Sequence, residues 1–237
     1  MKKHILAASL LAFISGQGAN ASATNPAPVV VELFTSQGCS SCPPAEELLV
    51  ELSRDPSLVP LTLHVDYWDY LGWKDPYAKA AHTERQRNYS SYLGRNNVFT
   101  PQVMVDGAYS AVGSNKGEVR RAIEQARARI HARLTLSESA TPNQLTLTVE
   151  PDNLQSDVPL AVLAFRFTRS TSTQVKAGEN RGETLKTANS VTSITRLGEW
   201  QQKPATFTVP APASSGEGLA VVLQNEKTGQ ILASVIR

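Results

Sequence analysis

The apolar pattern of the chain changes period near residue 133, and that change limits the fold more than any other feature. Between residues 29 and 133, runs of β-branched and large apolar residues alternate with stretches of helical period; from residue 134 onward alternating runs take over. Strands are expected over 29–34, 61–65, 103–105 and 108–112, and helices over 43–53, about 76–93 and 116–133. Asp106-Gly107 is a strong hairpin turn, and Val119, Ile123, Ala126 and Ile130 share one face of the last helix. The order is β-α-β-α-β-β-α, and a right-handed crossover makes the first two strands parallel neighbours. Seven more strands, at 134–136, 144–149, 160–167, 191–197, 205–209, 219–224 and 231–236, are separated by polar, Gly and Pro turns and suggest a β-sandwich. The expected class is α/β plus all-β: an α/β domain over 24–133, then a β-rich, sandwich-like domain over 134–237.

The first 23 residues read as an address. Met1-Lys2-Lys3-His4 is basic, 5–14 is apolar, and Ala21-Ser22-Ala23 is a small-residue cleavage site, so a signal peptide cut after Ala23 is expected. It is too short to remain as a membrane anchor. With no twin arginine, the expected destination is the periplasm or the medium. Losing Lys2 and Lys3 lowers the 23 basic side chains to 21, which equals the 21 acids. A mature chain of zero formal charge gives no reason to expect nucleic acid or an anionic membrane as partner. Outside the cytosol, cysteines can persist as a disulfide.

The chain has only two cysteines, in the run Cys39-Ser40-Ser41-Cys42. Pro43-Pro44 and the following acids mark a helix start, which puts Cys39 at a strand-to-helix junction. Orphan amides and the helix dipole there favour a thiolate. A purely structural staple is the competing reading, but closing a four-residue loop is worth only about 2 kcal/mol, against about 4.7 for a hundred residues. The spacing and the context point to redox chemistry, with Cys39 attacking and Cys42 resolving.

That dithiol at the first strand-to-helix turn, with Thr100-Pro101 just before the third strand, resembles the thioredoxin fold. The resemblance implies a cis-proline facing the dithiol and a preceding Thr100 that offers its backbone to an extended substrate. The chain is also similar to an exported bacterial family known only as a domain of unknown function, DUF1223. The likeness lies in residues 32–45, in His64-Val65-Asp66-Tyr67-Trp68-Asp69, in Thr100-Pro101-Gln102 and in Gly178-Glu179-Asn180-Arg181-Gly182. It supplies no activity. In thioredoxins a buried acid behind the dithiol moves protons for the resolving thiol, and the resemblance gives that role to Glu32, one residue out of register. The other reading of Glu32 is a solvent-side acid on a half-exposed strand.

Where thioredoxins have tryptophan before the first cysteine, this chain has Gly38, and the loop 66–73 with Trp68 is expected to wall the site instead. Ser40 and Ser41 replace Gly-Pro, and their hydroxyls can reach the Cys39 thiolate, so reductant and oxidant both stay open. His64 and His82 are conceivable copper or zinc ligands with the cysteines, although the spacing is no metal signature and a packed core histidine is the plainer reading of His64. Asp66, Asp69 and Asp75 read as a structural loop. The segment 178–182 is either a binding loop or a mobile connection. The expected function is an exported thiol-disulfide oxidoreductase with a protein or small-thiol partner, no external cofactor and no metal. Catalytic roles fall to Cys39, Cys42 and Glu32, and substrate contacts to Thr100, Pro101 and Trp68. A non-catalytic binding module and a periplasmic metal chaperone are the alternatives.

Overall fold

In the computed structural model the residues described are 27–129, 132–151, 154 and 156–237. The expected leader, 1–23, and Ile130 lie outside them. The first half runs β1 (Val29–Thr35), α1 (Pro43–Leu52), β2 (Leu58–His64), α2 (Ala80–Tyr92), β3 (Gln102–Val105), β4 (Tyr109–Val112) and α3 (Lys116–Arg127). The second is β5 (Arg133–Glu138), β6 (Gln144–Glu150), β7 (Leu160–Gln174), β8 (Thr184–Trp200), β9 (Ala205–Pro210), β10 (Glu217–Gln224) and β11 (Ile231–Ile236). The fold is mixed α/β. A large mixed sheet has the order β11-β10-β7-β8-β2-β1-β3-β4, and a smaller one the order β5-β6-β9.

Every residue of β1 is buried because both faces of the sheet are covered, which is why its sequence is a continuous apolar run. Val29, Val31 and Leu33 pack with Leu48 and Leu49 of α1 and Val119 and Ile123 of α3. Val30 and Phe34 face the other way, with Leu61, Leu63, Tyr89 of α2 and Phe165 of β7. β1 and β2 are parallel, Val29 opposite Leu58 and Thr35 opposite His64. Period-two alternation therefore puts Thr35 and His64 together on the α1 face at the carboxyl ends of both strands.

Two helices are shorter than their patterns suggest. The Asp75 side chain accepts the Tyr77 amide and its carbonyl the Ala78 amide, and Lys79 is extended with its amide on the His64 carbonyl, so α2 begins at Ala80 rather than near 76. α3 stops at Arg127 because the Ala132 amide must reach the Leu232 carbonyl of β11. The β3–β4 hairpin turns at Asp106 and Gly107, both with positive φ. Glycine is required at 107, since a Cβ there would sit 1.9 Å from the Gly229 carbonyl oxygen.

The large sheet does not break at residue 133. β8 joins β2 in parallel at Thr62 and Ser190, helped by hydrogen bonds from Thr62 Oγ1 to the Ala188 carbonyl (2.6 Å) and from Asn189 Nδ2 to the Pro60 carbonyl (2.8 Å). Sandwich packing is present in the second half: Leu145, Leu147, Val149 and Val209 of the small sheet meet Val162, Val221 and Leu223 of the large one. One layer of that sandwich is thus the same sheet that carries β1 and β2. Among the described residues no helix is long and apolar enough to cross a membrane.

Candidate functional site

Beyond β1 the chain turns through Ser36, Gln37 and Gly38, and the Cys39 amide closes the turn on the Ser36 carbonyl at 3.1 Å. Cys42 is the N-cap of α1, Pro43 and Pro44 occupy the positions where an amide is dispensable, and Cys42's carbonyl accepts the Ala45 and Glu46 amides. Cys39 and Cys42 form a disulfide with Cα atoms 5.4 Å apart. Both are fully buried, whereas Ser40 and Ser41 between them are exposed. Ser41 Oγ lies 3.4 Å from Cys39 Sγ, the reach expected of one of the two hydroxyls.

The aromatic loop does wall this turn. Trp68 Nε1 donates to Thr100 Oγ1 at 2.8 Å, and a Cβ at Gly38 would lie 3.2 Å from that of Trp68. Trp73 Nε1 donates to Gln37 Oε1 at 3.0 Å. The Thr100-Pro101 bond is cis. Gly113 fits between Ala45, Leu33 and Pro101, all about 3 Å from a Cβ placed on it, which sets the proline beside the first turn of α1. Trp68, Thr100, Pro101, Cys39 and Cys42 are therefore brought together.

Glu32 is not with them. It lies on the α2 face of β1, where Arg85 Nε donates to Oε1 at 2.6 Å and the Tyr89 hydroxyl to Oε2 at 2.5 Å. Glu32 is buried and fully paired, which corrects the solvent-side reading. The one-residue offset moved its side chain to the opposite face of the sheet from α1.

The buried acid of α1 is Glu46, one helical turn beyond Cys42 and 2 % exposed. Thr35 Oγ1 donates to Oε1 at 2.8 Å, while Oε2 has no hydrogen-bond partner. Burial pushes the carboxyl up to about 7, with the Thr35 bond and the His64 charge pulling the other way. His64, also fully buried, is 2.8 Å through Nδ1 from Asp75 Oδ2, and its Nε2 has no partner. Burial alone would lower the imidazole, but the bond and charge of Asp75, reinforced by Glu46, hold it above its usual range. Burial would raise Asp75; the His64 bond and charge, with amides donated by Gln37 and Tyr77, keep it below. Parity explains the grouping: Thr35 and His64 end adjacent parallel strands on the face that α1 covers. A cleft of about 270 Å³ on this side is lined by Pro43, Glu46 and Val50 of α1 and Thr184 and Leu185 of β8.

His82 is elsewhere engaged. Its Nδ1 bonds the His64 carbonyl and burial lowers it to about 4. Among the described residues no group of three His, Cys, Asp or Glu is arranged to hold a metal ion. Asp66 accepts from Thr83 Oγ1 of α2 and Asp69 from the Asp75 amide, whereas the Asp75 carboxylate reaches out of the loop to His64.

The connection between β7 and β8 is docked, not loose. Asn180, 6 % exposed, donates from Nδ2 to the Gln37 carbonyl (2.9 Å) and the Cys39 carbonyl (3.0 Å), and Glu179 accepts the Ser40 amide at 3.1 Å. Sequence reasoning missed Glu46, whose place in a first turn has an ordinary dipole explanation, and Asn180, whose partners are 141 and 143 residues away. The Cys42-to-Glu46 spacing was the one available signal for the acid.

The family described as a protein of unknown function, DUF1223, matches residues 30–224. A crystal structure of a protein from Agrobacterium tumefaciens is 31% identical, covers 90% of this chain and 95% of its own, and superposes with a TM-score of 0.75. HBP35 of Porphyromonas gingivalis is 16% identical over 90% of this chain and 76% of its own, with a TM-score of 0.59, a likeness of fold alone. No curated protein matches the chain.

Proposed function

The chain belongs to the DUF1223 family, and from that premise we propose that it is an exported thiol-disulfide oxidoreductase whose N-terminal half is thioredoxin-like and whose centre is Cys39–Cys42. The observation that carries this reading is Glu46, a carboxyl buried one helical turn past Cys42 with one oxygen unpartnered and a pKa raised to about 7. A structural clip needs no proton donor, and burying a carboxyl is costly, so the group is better explained by the chemistry than by the fold. The β-α-β-α-β-β-α order and the cis proline beside α1 support the thioredoxin-like part. Export rests on the reading of residues 1–23.

In the oxidising direction a client thiolate attacks Cys39 Sγ. The Cys39–Cys42 bond breaks, its electron pair leaves on Cys42 Sγ, and the protonated Glu46 supplies the proton that neutralises it. A second client thiolate then attacks the client sulfur of the mixed disulfide, forming the client disulfide and releasing Cys39 as thiolate. Reduction of a client disulfide is the reverse, with Cys39 attacking and ionised Glu46 taking the Cys42 proton. The charge of His64 lowers the Glu46 carboxyl and that of Asp75 raises it more weakly, so the pair tunes how readily Glu46 gives up that proton. Trp68 and Thr100 form the wall against which a client chain lies.

The test is insulin reduction and dithiol-peptide oxidation by the purified protein, with and without chelator. We expect exchange in at least one direction, insensitive to chelator, slowed about a hundredfold in Glu46→Gln with loss of the pH dependence near 7. No exchange with either client, or an unchanged rate and pH profile in Glu46→Gln, would overturn the proposal.

A further inference from the structure

We propose that the tip of the β7–β8 hairpin, residues 175–183, is a detachable cap over the disulfide, latched by Asn180 and Glu179 and opened before any reductant or client can react. This rests on the dithiol reading given above and adds its regulation. Thiol exchange requires a nucleophile to approach Cys39 Sγ in line with the bond to Cys42. Neither sulfur has a face open to solvent in the closed form, since both cysteines are 0 % exposed. The tip contacts the cysteine turn through the Asn180 amide on two carbonyls and the Glu179 carboxylate on the Ser40 amide.

The tip is built to come away as a unit. Its base is closed by backbone bonds from the Val175 amide to the Glu183 carbonyl and from the Gly182 amide to the Val175 carbonyl. Gly178 and Gly182 both have positive φ, and the segment between them is held to itself by backbone bonds from the Arg181 amide to the Gly178 carbonyl and from the Glu183 amide to the Asn180 carbonyl, so it moves as one piece. Val175 is buried at the base, whereas Glu179, Arg181, Gly182 and Glu183 are exposed, so opening uncovers little apolar surface. The latch is polar, and every bond in it can be replaced by water once the tip lifts. Gly178 packs on Trp73, where a Cβ would lie 3.2 Å away, so the tip and the aromatic wall close together over the turn.

The cap makes a kinetic prediction that a change in disulfide chemistry does not. If opening precedes reaction, weakening the latch multiplies the reduction rate by one factor whatever the reductant. Reduction of the purified protein is followed with a water-soluble phosphine and with a reduced protein dithiol, in wild type, Asn180→Ala and Glu179→Gln, with far-UV circular dichroism confirming the fold. We expect Asn180→Ala to accelerate both reactions by about thirtyfold, the worth of two ordinary hydrogen bonds, and Glu179→Gln to accelerate both by a smaller common factor. Glu179 is exposed, so its variant reports even if Asn180→Ala fails to fold. Wild-type rates with both reductants in the folded variants would overturn the cap, as would acceleration confined to one reductant. The readings separate: faster reduction without exchange with either insulin or the dithiol peptide supports the cap and sinks the oxidoreductase, whereas exchange with a client at wild-type rates in both variants does the reverse.

Discussion

Glu46 sets the pH behaviour expected of the folded protein. Its carboxyl titrates near 7 in the native state against 4.5 as the reference value, so between those limits the native state binds more protons than the unfolded one. Stability therefore falls as pH rises through that window, by about 3 kcal/mol if the group acts alone. His64 acts in the same sense: its raised pKa contributes stability that is present below 6.5 and is lost as pH climbs past the native value. Asp75 acts oppositely, contributing stability above 3.8 that is lost as pH falls through its lowered value. Urea denaturation from pH 2 to 9 should show a maximum on the acid side of neutrality, with the Asp75 limb below about 3.8 and the Glu46 decline above 4.5. Glu46→Gln should flatten the decline between about pH 4.5 and 7 and leave the acid limb in place; an identical decline in that variant would show that the carboxyl is not the titrating group. The two cysteines and the proline were legible because each signal is local to a few residues. Glu46 was not, because an acid in a first helical turn is ordinary until the partners on β1 and β2 are known.

At the scale of elements, strand parity decides which side chains meet. The expectation for Glu32 failed by one residue, and one residue along a strand exchanges a place under α1 for one against Arg85 and Tyr89. Core strands and their order were readable from period and β-branching, while the outer halves of β7 and β8 were not. Thr171, Thr187 and Ser190 there satisfy one another through hydroxyl bonds, a pattern with no apolar period. The hairpin between β3 and β4 was legible from Asp106-Gly107, and its tolerance is testable. Gly107→Ala would force a Cβ into the Gly229 backbone and should destabilise the fold by about 2–4 kcal/mol, read as a lower urea midpoint. An unchanged midpoint would mean the turn of 107 and that of 229 are not in contact.

For the whole molecule, the sheet that carries the dithiol is completed by strands from the second half. Leu61 and Leu63 share a core with Phe165, Phe167 and Val222, and β8 pairs directly with β2. That continuity was invisible in the periodicity, which marks a change of pattern at 133 but not who pairs with whom. A fragment of residues 27–133 would expose that face of β1 and β2, and should lack a cooperative thermal transition while the full chain melts in one step; a cooperatively folding fragment would show that the halves are independent. The hairpin tip belongs to the same logic, since the second half both completes the sheet and hydrogen-bonds the cysteine turn. The most direct test of the redox claim is the midpoint potential of Cys39–Cys42, by equilibration of the purified protein in glutathione buffers. A catalytic pair should fall roughly between −120 and −270 mV, whereas a value below about −300 mV would mark the bridge as a structural staple and contradict the account.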